Sequence, residues 1–569
     1  MAEEYKQDLI AINDFDTAIR QDTMKSTKDQ PKGEPKLINL KYSGVVFKQK
    51  NKDYKVLKDS VVFLHEGAYL YCDSAYHNEI TNTFDAFSNV RMEQGDTLFL
   101  YGDRMHYDGN TQMVAVRENV RMDHRSGTLF TDSLNYDRIN NIGYYFDGGL
   151  LVDSINELTS FWGQYEPGKS LATFRDEVVL VNPNYKLYSD TLLYDTNSKM
   201  ATIVGPTKIE SDSGYIHSSR GWYNTLTEES VLLDQSTIIN KEGNQLLKGD
   251  SIIFYRNSNS GEVFGNMFLQ DTTKKVILTG HYGFYNGQME YAYARDSASM
   301  IEYSQKDSLY LHGDTLELIK LPPAEFVTVK TRTDTLQVFD EEQNASDSVV
   351  YYTDSIREMK ALHQIKAHYG VRFYRADLQG ICDSLQFNSS DSILHMYKDP
   401  VLWNLNRQLT GDTINIIMND STIDRVHVDG RAFAIEQKDS IYFNQLKSRV
   451  LQFFFDEGKL KRVFANGNVE TIVYPEESDG TLNQVLNWLT CSYLEIFLEN
   501  GQFDRLKAWP SPKGQTTPFQ LVKPDQLRLT EFYWYDYMRP LDKDDIFRKV
   551  KRRAADVRKE RSAVFEREE

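Results

Sequence analysis

The chain has 569 residues, a formal net charge of −18, 40% hydrophobic residues and 26% charged residues. This length exceeds a single compact core, so several domains or an extended array of repeats are expected. The acidic balance argues against a general nucleic-acid or anionic-membrane binder, which needs a basic face. No run approaches the roughly 18 apolar residues of a membrane-spanning helix.

The first 36 residues are polar and include a segment rich in Lys, Asp, Pro and Gly. We expect a disordered arm there, with a short helix near Asp8–Ile19. The arm lacks the basic-then-apolar pattern of a secretory signal. The protein is therefore expected either to be cytosolic or to be a mature form from which a signal was removed.

From Leu37 onwards a unit of about 30 residues recurs, which is the mark of a solenoid-type array. Its first part is a box, LYGDRMHYD at Leu100–Asp108, and its second part is a signature, ENVRM at Glu118–Met122. The box aspartate returns along the chain as Asp73, Asp103, Asp132, Asp190, Asp250, Asp314, Asp383 and Asp412.

Each unit reads as strand, turn, strand, because its apolar residues alternate with polar ones. Positions two and four after the box aspartate are apolar, and the signature adds further apolar residues to the same side, including Val401 and Trp403 in a later copy. The expected inner, dry face comprises Val90, Met92, Met105, Tyr107, Val120, Met122, Leu134, Tyr136, Leu192, Tyr194, Ile252, Phe254, Leu316, Leu318, Leu385, Phe387, Ile414 and Ile416.

The repeat pattern is lost between about Leu321 and His363, and we interpret this segment as an insertion or a hinge. An aromatic cluster and a charged, helix-prone tail at Asp544–Glu569 follow the last repeats. The expected divisions are a polar arm at 1–36, a first repeat block at 37–320, the insertion at 321–363, a second repeat block at 364–509, and an aromatic segment with a charged helical tail at 510–569.

The residues that could carry chemistry have structural interpretations. Cys72 and Cys382 occupy a slot before the box aspartate that holds small residues in other copies, and three cysteines are too few for a disulfide framework. A single aspartate per unit does not supply the several oxygens of a calcium ladder, so we expect it to bind turn or strand-end N–H groups. We predict no catalytic residue, no metal site and no cofactor.

Three functions remain open on the pattern alone. The dry face can hold a hydrophobic ligand, or it can be the closed core of a structural or adhesive β-solenoid. A carbohydrate-active solenoid enzyme is the third alternative, although no cluster of acidic residues marks it.

The units resemble the OstA-like (LptA-type) repeat of lipopolysaccharide-transport proteins, in particular the long OstA-like proteins of Bacteroidetes. The residues that carry the resemblance are the boxes TDSLNYD at 131–137 and SDTLLYD at 189–195, together with the asparagine–valine signatures that follow such boxes. The segments 66–90, 95–111, 178–192 and 371–385 are also similar, and the resemblance covers Leu37 to Trp509.

The resemblance implies an all-β fold, an elongated open β-jellyroll (a β-taco, solenoid-like) of about 30-residue repeats. It also implies a non-enzymatic periplasmic scaffold that shields lipopolysaccharide acyl chains on the inner face, within a bridge from inner to outer membrane. The partners implied are lipopolysaccharide or a related glycolipid and other β-jellyroll transport proteins, with no nucleic acid. We expect the end units, such as Tyr42–Phe63, to dock such proteins by strand addition.

Overall fold

The computed structural model describes residues 36–125, 127–304, 307–339, 345–419, 422–477, 481–499 and 502–553. Antiparallel strands dominate these residues, and the all-β prediction is confirmed. The only helical elements in the described ranges are the single 3-10 turns Arg256–Ser258, Phe519–Leu521, Pro524–Gln526, Asp536–Met538 and Asp545–Phe547. None of the described helical turns has the length and apolarity needed to cross a membrane. The arm at 1–35, with its expected helix, lies outside the described residues.

The first strands are β1 (Asn39–Tyr42), β2 (Val45–Lys48), β3 (Lys55–His65), β4 (Ala68–Asn78), β5 (Thr83–Gln94), β6 (Leu98–Asp108), β7 (Met113–His124), β8 (Gly127–Asp137), β9 (Ile142–Tyr145), β10 (Gly149–Val152), β11 (Glu157–Ser160), β12 (Trp162–Glu166) and β13 (Leu171–Asn182).

The next strands are β14 (Tyr185–Asp195), β15 (Met200–Ile203), β16 (Thr207–Ser211), β17 (Gly214–Ser218), β18 (Arg220–Asn224), β19 (Glu229–Leu233), β20 (Thr237–Asn240), β21 (Gln245–Lys248), β22 (Ser251–Tyr255), β23 (Ser260–Asp271), β24 (Val276–Asn286), β25 (Tyr291–Glu302) and β26 (Leu309–Phe339).

The last strands are β27 (Ala345–Arg375), β28 (Leu378–Asn388), β29 (Ile393–Tyr397), β30 (Val401–Asn404), β31 (Arg407–Thr410), β32 (Thr413–Asn419), β33 (Thr422–Gln437), β34 (Phe443–Asp456), β35 (Lys459–Val473), β36 (Val485–Glu499), β37 (Gln502–Trp509) and β38 (Lys513–Pro518).

The chain divides into two compact units after Glu177, inside β13, with Asp195–Asn197 belonging to the first unit. Within the first unit β3 to β8 pair in chain order, each antiparallel to the next. The second unit contains similar consecutive pairings, for example β23 with β24 and β24 with β25. Each unit is thus a series of hairpins, as the strand–turn–strand repeat predicts.

The long strands that carry the second signature bend there. In β5 the two residues before the signature valine, Ser88 and Asn89, have φ angles of 61° and 51°, and β7 repeats this at Glu118–Asn119. The ladder register shifts at the same place, between Phe87 and Val90. Positive φ costs an L-residue about 1 kcal/mol or more, so the bend needs a local stabilising interaction.

The box aspartate supplies that interaction. The Asn89 side chain donates to Asp73 Oδ2 at 2.7 Å, and the Asn266 side chain donates to Asp250 Oδ2 at 2.8 Å, each across 16 residues. The aspartate therefore has a structural task, as predicted, but its partner is an asparagine side chain rather than a turn N–H group. The box supplies the acceptor of this hydrogen bond, and the signature supplies its donor.

The slot before the box aspartate is small because the neighbouring strand fills it. A Cβ added at Gly102 would lie 2.3 Å from Val116 Cγ1, and one added at Gly249 would lie 2.1 Å from Val263 Cγ1. Cys72 and Cys382 are buried free thiols at this position, and burial raises the pKa of Cys72 to about 12. The thiols act as small apolar side chains, as the sequence predicts.

The insertion at 321–363 is a continuous hairpin extension. Strands β26 and β27 pair from Ala324 with Lys360 to Phe339 with Ala345. The neighbouring strand β25 pairs with β26 only as far as Ile319. Backbone pairing between two strands thus replaces the repeat pattern there.

A C-terminal segment, Phe519–Arg553, packs against the outer side of the second unit. Trp403 and Val401 form a cluster with Tyr535 and Met538 of this segment. The dry-face prediction is therefore wrong for Val401 and Trp403. The bend in this copy comes one residue earlier, at Lys398 and Asp399, which turns the two side chains outward.

Buried glutamines hold the C-terminal segment in place. Gln408 donates to the Tyr533 carbonyl at 2.8 Å and accepts from the Tyr535 N–H at 2.7 Å. Gln445 makes a second such pair of bonds with Leu527 and Leu529, both at 2.8 Å. These bonds satisfy an extended backbone that has no strand partner.

The predicted tail helix does not form in the described part of the tail, Asp544–Arg553. That stretch has one 3-10 turn, Asp545–Phe547, and no other regular secondary structure. Ile546 is buried, and Arg552 donates to the Asp399 carbonyl at 2.7 Å. Contacts with the repeats override the local helix preference there, while 554–569 lie outside the described residues.

We expect Asn89→Ala to destabilise the bend in β5 by about 1–2 kcal/mol, since it removes the bond to Asp73 and places alanine at positive φ. Hydrogen exchange at Thr83–Gln94 should accelerate about 5- to 30-fold. Asn89→Gly is the matched control, because glycine tolerates the φ angle and loses only the hydrogen bond. Unchanged exchange in the alanine variant would contradict the role of this pair.

Candidate functional site

The predicted dry-face residues lie in the interiors of the two units. Seventeen of the eighteen are at most 6% exposed, and Phe387 is partly buried. Residues beside them in the strands, such as Arg104 and His106, are exposed. The alternation read from the sequence therefore corresponds to inside and outside.

Each bend divides its strand into two parts. The parts on one side of the bends pair in one ladder, the parts on the other side pair in a second ladder, and the two ladders face each other. We call the part that follows the signature the signature arm (Val90 and Met92 in β5). The part that carries the box positions is the box arm (Met105 and Tyr107 in β6). In the first unit Phe63 of the signature arm stacks on Phe84 of the box arm, with ring centroids 4.3 Å apart. The interior is thus a packed apolar layer between two arms.

The second unit has the same arrangement. Tyr185 of the signature arm meets Tyr223 of the box arm edge to face, with centroids 4.9 Å apart. An internal space of about 60 Å³ lies beside Tyr223, Leu247 and Phe254. This volume is far below the roughly 300–1,000 Å³ of a ligand pocket, so it holds no acyl chain as it stands.

Polar side chains close the rim where the two arms meet solvent. In the first unit His65 Nδ1 lies 2.6 Å from the Tyr107 hydroxyl, and Arg138 Nη1 donates to that hydroxyl at 2.7 Å. His65 Nε2 lies 2.8 Å from the Lys36 carbonyl. His65 belongs to the signature arm and Tyr107 to the box arm, and the two lie on non-adjacent strands. The contact therefore crosses the gap between the arms.

This rim contact recurs. His124 Nδ1 lies 2.8 Å from the Tyr165 hydroxyl in the first unit. In the second unit the Tyr285 hydroxyl donates to Gln245 Oε1 at 2.8 Å. The pattern joins the end of a signature arm to a tyrosine about 40 residues later. Sequence reasoning missed these residues, although the repeated spacing could have revealed them.

The surroundings of the rim histidines favour the neutral imidazole. Burial lowers the pKa of His65, and the nearby Arg138 guanidinium acts in the same direction. Burial, aided by Arg125, likewise lowers the pKa of His124. Burial also raises the pKa of the Tyr107 hydroxyl. When a hydrogen bond between such neutral partners breaks, no pair of opposite charges has to be separated.

Comparisons with known proteins bear on the repeat. A family model described as OstA-like protein matches residues 39–190 and 235–318. No curated protein matches the chain. Among solved structures, the chain is similar to LptH from Pseudomonas aeruginosa, described as the LptA homologous periplasmic component of the conserved lipopolysaccharide transport device. That likeness has 12% identity and a TM-score of 0.17, and it covers 18% of this chain and 79% of LptH.

The family match includes the boxes of Asp73, Asp103 and Asp132, and the bends that Asp73 and Asp103 stabilise. It is therefore the same repeat that the boxes and signatures resemble, and the assignment rests on this match rather than on LptH. Residues 39–190 and 235–318 of the chain therefore match the OstA-like repeat.

Proposed function

We propose that the protein is a non-enzymatic lipid-transport scaffold of the periplasm. In this proposal the inner faces of its units shield the acyl chains of lipopolysaccharide or a related glycolipid between inner and outer membrane. The observation that carries the proposal is the apolar interior enclosed between two arms, with a polar rim on one side. The OstA-like match supports it, because this is the repeat that lipopolysaccharide-transport proteins use.

The way the arms are joined favours a separable interior. Backbone ladders run within each arm, whereas the rim is held by side-chain bonds such as His65 to Tyr107. Parting the arms would therefore break few hydrogen bonds and leave the ladders intact. The bends, held by pairs such as Asp73 with Asn89, would serve as hinges.

A lipid needs such a scaffold because exposing its acyl chains to water is costly in free energy. At about 0.8 kcal/mol per CH₂, one acyl chain of about twelve methylenes costs about 10 kcal/mol to expose to water. Several breakable rim contacts cost about 1 kcal/mol each. The free energy gained by burying an acyl chain can therefore exceed the free energy needed to open the rim.

A second candidate, a structural β-scaffold with a closed core, is favoured by the dense interior. Leu192 and Ile252 are fully buried, and such packing is what a permanent core requires. The two candidates differ in whether lipid ever reaches these side chains.

A photoreactive amino acid at Leu192 or Ile252 is expected to crosslink glycolipid in cells, since both side chains face the interior. The same residue at Ile253, which points to the other side of β22, is the matched control and should capture much less. Mass spectrometry of the crosslinked product makes the measurement. Absence of glycolipid at both interior positions would favour the closed-core scaffold.

Acidification is expected to loosen the rim of the first unit. The pKa values of His65 and His124 lie below 6.5 in the closed rim, and an opened rim returns them toward 6.5. The open form then binds more protons, so closure is fully stable above about pH 6.5 and weakens as the pH falls through the lowered values.

The fluorescence of the uncharged apolar dye Nile red should therefore rise on acidification. The fluorescence of a double variant, His65→Gln with His124→Gln, should rise less, because glutamine does not gain a proton in this pH range and the second unit already uses a glutamine, Gln245, in its bond to Tyr285. An equal rise in the double variant would show that other groups control the opening.

The end strands offer docking edges for other β-jellyroll proteins. Among the described residues β2 pairs only with β3, and β37 pairs only with β36. Val45 and Phe503, at 47% and 65% exposure, lie on these edges. Open edges with apolar side chains invite strand addition.

Photo-crosslinking in cells from Val45 and Phe503 is therefore expected to capture other transport components by strand addition. Tyr69 is the control, since it is 43% exposed but lies on β4, which is paired on both sides. Capture from Tyr69 at the same level would count against edge-specific docking.

A further inference from the structure

Two arginines occupy the same place in different copies of the repeat. Arg138 and Arg256 each follow a box aspartate, Asp132 or Asp250, by the same number of residues. Arg138 Nη2 donates to the Glu66 carbonyl at 3.1 Å across 72 residues. Arg256 Nη2 donates to a carbonyl, that of Asn184, at 2.9 Å, also across 72 residues. Both side chains span the rim of their own unit.

The two arginine sites differ in whether the arginine has an acidic partner. Arg256 forms an ion pair with Glu228 at 3.1 Å, where both side chains are at most 15% exposed. The residue equivalent to Glu228 in the first unit is Gln112. Both have positive φ, 59° and 56°, and the carbonyl of each accepts the N–H of its arginine. A neutral amide therefore stands where the second unit has a carboxylate.

Arg138 is consequently a buried cation with neutral acceptors. It is 7% exposed, and it donates to Gln94 Oε1 at 3.1 Å as well as to the Tyr107 hydroxyl and the Glu66 carbonyl. Within the described ranges no carboxylate lies within ion-pair distance of Arg138. The side chain of Glu66 is taken by Lys36 at 2.9 Å. Desolvating a guanidinium without a counter-charge is unfavourable.

We propose that Arg138 binds a phosphate-type oxyanion, the anionic head of an amphiphile whose chains enter the first unit. This assignment rests on the proposed function and names the end of the lipid that meets the rim. The planar guanidinium can bind two oxygens of a phosphate side by side. Its place beside the His65–Tyr107 contact puts such a head at the border between apolar interior and solvent.

The repeat provides reciprocal variants. Gln112→Glu should give Arg138 an internal carboxylate, as Glu228 gives Arg256, and should abolish anion binding while the arginine remains. Arg138→Gln removes the cation directly. Glu228→Gln should leave Arg256 without its carboxylate and create a second anion site in the other unit.

The test is titration calorimetry of the full chain with dodecyl phosphate, with uncharged dodecyl maltoside and with inorganic phosphate. The unchanged protein should bind dodecyl phosphate about tenfold more tightly than the maltoside, as expected for charge-assisted hydrogen bonds. Gln112→Glu and Arg138→Gln should remove that preference, which is measured within each variant as the ratio of its affinity for dodecyl phosphate to its affinity for the maltoside. Circular dichroism melts verify that the variants are folded.

The outcomes separate this assignment from the proposed function. Equal binding of both amphiphiles, or a preference that survives in both first-unit variants, would overturn the role of Arg138 and leave lipid shielding in place. Arg138-dependent binding of inorganic phosphate without a preference for dodecyl phosphate would overturn the assignment to a lipid head. Binding of neither amphiphile would refute the proposed function and this assignment together.

Discussion

The bend in each long strand is the feature on which the rest of the structure depends. Two consecutive residues at positive φ, such as Ser88 and Asn89, interrupt the ladder and turn the strand. The asparagine side chain is then held by the aspartate of the preceding strand, Asp73. Without the bend each unit would present one apolar sheet face to water. With it, the two halves of each bent strand face each other and enclose their apolar side chains.

The enclosed interior and its rim have different physical character. The interior is close-packed, as the stacking of Phe63 on Phe84 shows, and it stabilises the unit through burial of apolar area. The rim is held by few, mostly neutral hydrogen bonds, including those of His65 and Tyr107. A structure that is rigid along its ladders and weakly joined at one border is suited to parting there. The proposed lipid shielding uses this difference.

The second unit shows how a segment outside the repeats changes their chemistry. Where the C-terminal segment packs, the outer positions include apolar residues and glutamines, such as Trp403 and Gln408. In the first unit the position equivalent to Val401 holds Arg121, which lies over Tyr101 in a cation–π contact. Both faces of the strands are therefore covered where this segment lies, and this explains why simple alternation fails at Val401 and Trp403.

The sequence by itself determined the all-β class, the repeat and the inward side of nearly every strand. Each of these follows from local alternation and spacing, because a period of two separates the faces of any strand. The structural role of the box aspartate was also predictable, although its partner Asn89 was not, since the pairing depends on how neighbouring strands stack.

Only the tertiary structure decided which residues meet across the arms. His65 meets Tyr107, and Arg138 reaches the carbonyl of Glu66 across 72 residues, contacts that no local pattern specifies. The same holds for the C-terminal segment, whose buried Tyr535 is held by Gln408. Such contacts depend on the bend angle and on the stacking of successive hairpins, and these become fixed only when the apolar faces close on each other.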